Sequence, residues 1–150
     1  MIEKIKAVGK TYVATEGGQH LSTIQGLGKM KLPNGEFVQV KRVTATASSG
    51  ATTDILAAVA DKCFRVLSGI ILHGGTAGTI KFVSHDGSGT DISPTFSNAA
   101  NGGMVLPHNP HGWFQCLSIN AKLQATVSSS SDVSVQLTFV EIPDDCMDLL

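Results

Sequence analysis

From Phe37 onward, apolar and polar residues alternate with a period of two, run after run, and no other feature of the sequence limits the fold so tightly. In "FVQVKRVTATA", Phe37, Gln39, Lys41, Val43, Ala45 and Ala47 share one face, while Val38, Val40, Arg42, Thr44 and Thr46 share the other. "KCFRVLSGIILH" sets Cys63, Arg65, Leu67, Gly69 and Ile71 against Phe64, Val66, Ser68, Ile70 and Leu72. "GTIKFVSH" and "INAKLQATVS" repeat the pattern, and "DVSVQLTFVEI" groups Val133, Val135, Leu137, Phe139 and Glu141. "GGMVLPH" and "GWFQC" add two short apolar runs. A strand sends successive side chains to opposite faces, so this alternation is what a half-buried strand requires. Between the runs, "SSGA", "HGGTAG", "HDGSG", "NGG" and "SSSSD" gather residues that accept positive φ or bond their own backbone.

"TTDILAAV" is read as one more strand, although a helix also fits "TDILAAVADK", capped by Thr53 or Asp54 with Ile55, Ala58 and Val59 on one face. The expectation is an all-β domain of about eight antiparallel strands in two sheets, a jelly-roll β-sandwich spanning 37–143. The immunoglobulin alternative lacks its Cys–Trp–Cys spacing.

Residues 1–36 hold no period. Five lysines (Lys4, Lys6, Lys10, Lys29, Lys31) face three glutamates (Glu3, Glu16, Glu36) there. This stretch is expected to be an extended N-terminal arm that orders only against a partner surface, ended by the turn signal "LPNGE". Val8, Tyr12, Leu21, Ile24 and Leu27 are its candidate contacts. Pro143 stops the last strand, and 144–150 reads as a solvated acidic tail.

Composition removes several classes of function. Net charge is −1 and no basic block occurs, so nucleic acid is not an expected partner. No apolar run reaches the length of a membrane span, and "MIEKIKAVGK" has no apolar signal-peptide core. Synthesis in a cytoplasm is expected, with Cys63, Cys116 and Cys146 as free thiols, the first two as small buried hydrophobes and Cys146 in the polar tail. Charged residues make up only 15% of the chain, which suits a surface covered by another protein.

Sites of chemistry are sparse. A metal-binding jelly roll needs two imidazoles at i and i+2, on one side of a strand, and the five histidines offer no such pair. His108 and His111 are three apart with Pro110 between them. No G-x-S-x-G elbow is present, and "HGGTAGTIK" puts Lys81 too late for a phosphate loop. No catalytic residue, metal or cofactor is expected. Trp113 is the one candidate for stacking on a sugar.

"AANGGMVLPHNPHGWFQC" then reads as a corner. Pro107 and Pro110 fix φ and cannot donate to a ladder, and Trp113 and Phe114 must point to opposite faces. Together with "KCFRVLSGIIL", "GTIKFVS" and "LTFVEI", this corner resembles a structural module of tailed bacteriophages, over about residues 43–142. The resemblance implies a virion protein made in the host cytoplasm and placed on the capsid exterior. It would be a capsid decoration, or cement, protein that binds the major capsid protein as a homotrimer and braces the expanded head. The rival is a receptor- or carbohydrate-contacting module of a tail fibre or tail tip. In the family the position of His108 is often apolar or aromatic and that of His111 is small, so the resemblance implies a ligand role for neither. Trp113, Phe114 and Phe139 are the candidate anchors of the subunit contact or the core.

Overall fold

The computed structural model describes residues 28–149. Twelve strands follow in order: β1 (Lys29–Lys31), β2 (Phe37–Gln39), β3 (Lys41–Ala47), β4 (Thr52–Leu56), β5 (Cys63–His73), β6 (Gly78–His85), β7 (Gly89–Asp91), β8 (Phe96–Asn98), β9 (Gly103–Leu106), β10 (Phe114–Gln115), β11 (Lys122–Ser128) and β12 (Val133–Ile142). A 3-10 helix at Asp144–Leu149 closes the described chain. All strand pairings are antiparallel.

The first sheet runs β10-β5-β12-β3, with β9 also on β5; the second runs β4-β11-β6-β7, with β8 also on β6. Their inward faces share one core. Val43, Ala45 and Ala47 of β3 oppose Leu137, Val135 and Val133 of β12, as the period predicts. Leu123, Ala125 and Val127 bury the facing side of β11. The Phe82 ring of β6 stacks on Phe114 of β10 at 4.8 Å between centroids, joining the two sheets. A Cβ at Gly69 would come within 2.7 Å of Leu137 Cδ2, so that leucine side chain would have to shift.

Four expectations need correction. The strand count rises from eight to twelve because "FVQVKRVTATA" breaks at Val40 and because β1, β7 and β8 are too short or too polar to show a period. The alternation in β5 changes phase. Ser68 pairs with Thr138 and Val66 with Phe139, so Leu67 is a bulge residue without a register partner. Cys63 and Arg65 consequently lie on the face opposite Gly69 and Ile71.

The expected arm does not run free to residue 36. β1 pairs with β2, and Leu32 in the turn between them is 2% exposed. The turn closes through Leu32 N–H to Glu36 C=O at 2.7 Å and Gly35 N–H to Leu32 C=O at 2.9 Å. The acidic tail is not solvated throughout either, because Cys146 and Met147 are buried. Each segment has an apolar residue to place and finds a bare sheet surface beside it. The strand reading of "TTDILAAV" stands, as β4.

Candidate functional site

The corner between β9 and β10 is built on the bulge. Asn109 N–H bonds Leu67 C=O and Trp113 N–H bonds Val66 C=O, both at 2.8 Å, so the two short strands flank the irregularity in β5. Asn109 Oδ1 accepts from His111 N–H at 3.0 Å, and its Nδ2 donates to Gly112 C=O at 3.0 Å. Gly112 takes φ 91°, a left-handed conformation that glycine adopts without strain. Trp113 Nε1 donates to Pro107 C=O at 2.7 Å, which fixes an indole that is 45% exposed. Phe114 turns into the core, as does Phe139, whose ring meets Phe64 edge-on at 5.7 Å. Of the three anchors, then, Trp113 alone is at the surface. His108 and His111 are exposed. The arm contacts Val8, Tyr12, Leu21, Ile24 and Leu27 lie outside the described residues.

Among the described residues, no three His, Cys, Asp or Glu side chains come together as a metal site would need. No helix among the described residues is long and apolar enough to cross a membrane. The three cysteines are free and buried. Burial pushes the Cys63 thiol up to about 12, with Cys116 beside it adding to the rise. Burial raises Cys116 and Cys146 as well, so none of the three offers the thiolate that cysteine reactivity requires.

The surface that stands out is the outer face of the first sheet. Register places Val105 of β9 beside Ile70, and Ile70 beside Gln136, which pairs with Thr44. Leu72 pairs with Ser134, and Ser134 with Thr46; Ser68 pairs with Thr138, and Thr138 with Arg42. Val105 is 66% exposed and Leu72 53%. Arg42 is the one charged side chain among these positions. A shallow hollow of about 280 Å³ lies between Arg42, Ile70, Val105 and His108.

The outer face of the second sheet is of the opposite kind. Lys81 pairs with Asp91 at 2.8 Å and Lys122 with Asp54 at 2.9 Å. Gln124 Nε2 also donates to Asp54, and these bonds hold that carboxyl below its ordinary range. Charges on that face are hydrated and mutually paired, which suits exposure to water.

Ile70 and Leu72 are not among the candidate contact residues read from the sequence, although it carries a signal for them. β5 is apolar in both phases, the signature of a strand covered on both sides. A search of family models finds no match to the chain, and neither does a search of curated proteins.

Proposed function

We propose that the chain is a jelly-roll decoration, or cement, protein of a tailed-phage capsid, which binds the major capsid protein from outside as a trimer and stabilises the expanded head. The observation that carries this reading is the nearly uncharged outer face around Ile70, Leu72 and Val105. Depletion of charge at the centre of a surface, with apolar side chains standing out of it, is the composition of a protein contact.

Strand order supports the architecture. Counting β7 with β8 and β9 with β10 as interrupted single strands gives eight from β3 onward. The sheets then read first-eighth-third-sixth and second-seventh-fourth-fifth, the order of a jelly roll. Because the hairpin ties residues 28–39 to the body, a leader that reaches the shell would comprise residues 1–27. Binding only to the expanded shell would stabilise that state by mass action.

Two measurements test the reading. Sedimentation of the purified chain should give a trimer. Quantitative mass spectrometry of particles carrying it should give copies in fixed proportion to the shell protein. A monomer that fails to cosediment with expanded shells overturns it. The exposed indole of Trp113 favours the second reading, a receptor- or carbohydrate-contacting tail module, through ring stacking. A handful of copies per particle would select that reading.

A further inference from the structure

Arg65 is 3% exposed, and no described carboxylate bridges to it. Its Nε and Nη2 donate to Gln115 Oε1 at 3.0 and 2.8 Å, and Nη2 donates again to Cys146 C=O at 3.0 Å. Gln115 completes the latch by donating to Met147 C=O at 2.5 Å. Every acceptor here is neutral. Nη1, with two N–H donors, bonds no described residue. A cation held out of water without an anion is among the costliest arrangements in a protein interior. Burial accordingly lowers the Arg65 pKa.

Arg65 also lines a cleft of about 440 Å³ between the β1–β2 turn, β5 and the corner. Met30, Pro33 and Pro110 supply apolar walls, and Lys31 and His111, both exposed, bring two more basic side chains to it. The Lys31 ammonium stands 6.0 Å from the centroid of the Phe37 ring. Among the described residues, no Asp or Glu lines the cleft. A largely buried guanidinium whose Nη1 bonds no described residue, apolar walls and a basic margin together describe a receptor for one kind of group.

We propose that this cleft binds a carboxylate carried on an apolar body, with Arg65 Nη1 as the principal donor and Lys31 as an electrostatic aid. The inference stands independently of the capsid reading. Such a carboxylate belongs either to a small aliphatic acid or to the end of a peptide chain. Titrating the full-length ¹⁵N-labelled protein with hexanoate, and separately with N-acetyl-alanyl-leucine, distinguishes the two. The corresponding amides serve as controls.

Saturable shifts at the amides of Lys31, Arg65 and His111 are expected, with a dissociation constant of about 1 mM or tighter for at least one acid. The amides should bind at least about tenfold more weakly, because they lack the charge. Tighter binding of the dipeptide identifies a chain end, and tighter binding of hexanoate a free acid. Arg65→Met should abolish binding. Since that change also breaks the latch, Lys31→Glu on an exposed strand provides a second variant, expected to weaken binding several-fold while leaving the spectrum otherwise folded. Absence of saturable shifts, equal binding of acid and amide, or indifference to Lys31→Glu overturns the proposal.

Discussion

The two ends of the first sheet's outer face differ in cover, although one strand runs through both. At the end holding Cys63 and Arg65, β5 is buried on both faces, and the β1–β2 hairpin and the C-terminal 3-10 helix lie over it. Past the bulge at Leu67 the same strand exposes Ile70 and Leu72 with nothing described above them. Apolar content is similar at both ends, so hydrophobicity alone does not decide exposure. Among the described residues, the chain supplies its own cover at one end and leaves the other end exposed and nearly free of charge. Self-cover stabilises the monomer, whereas a bare apolar face gains free energy only when another molecule arrives.

The comparison breaks most readily at the covered end. Leu32 is the fully buried side chain of the hairpin, with Met30 and Val38 partly buried against the same core. Leu32→Ala should cost about 2–5 kcal/mol, the range for truncating a fully buried leucine. Urea denaturation followed by tryptophan fluorescence would measure it. A loss below about 1 kcal/mol, the level of an exposed position, would mean that the hairpin is an appendage and not a cover.

The sequence showed the inward registers of β3, β11 and β12 because their alternation is uninterrupted over seven residues or more. It did not show the two covers. "KMK" is too short for any period, and Leu32 is a single apolar residue inside a turn signal. "DDCMDLL" reads as acidic, yet burial there is settled by Cys146 and Met147, which pack onto a surface that exists only after β5, β10 and β12 have assembled. The bulge was also hidden. One extra residue flips every side chain beyond it, and "RVLSG" carries no mark of that. Unbroken alternation therefore put Arg65 on the same face as Gly69 and Ile71, and nothing in the sequence signals its latch to Gln115 and the tail. The corner was legible in its Pro, Asn and Gly, whose constraints are local.

At the bare end, His73 allows a second test, with a smaller effect. His73 is 4% exposed, and neither ring nitrogen has a hydrogen-bond partner among the described residues. Burial lowers its pKa below the ordinary 6.5. In the unfolded chain His73 takes up a proton more readily than in the folded one, so stability is full above about pH 6.5 and falls as pH drops below it. One such group gives a slope no steeper than about 1.4 kcal/mol per pH unit. His73→Leu should flatten this part of the profile, raising stability at pH 5 relative to wild type by more than it does at pH 8. Parallel profiles for the two proteins would show that the imidazole is hydrated after all.

The smallest effect on stability should come with the largest contrast in behaviour. Val105 stands on the edge strand β9, 66% exposed, beside Ile70. Val105→Thr keeps the β-branched shape and the strand preference, and exchanges a methyl for a hydroxyl that water already reaches. Unfolding free energy should change by less than about 0.5 kcal/mol, as at other surface positions. If the face is a contact between proteins, that hydroxyl must be desolvated on association, and self-association or shell binding should weaken by about tenfold or more. Sedimentation of the variant alone and with expanded shells separates the outcomes. A variant equally stable and equally associated would show that partners meet the molecule elsewhere. One that loses stability as well would show that Val105 already packs within its own chain, and the two ends of the face would then differ less than their exposure suggests.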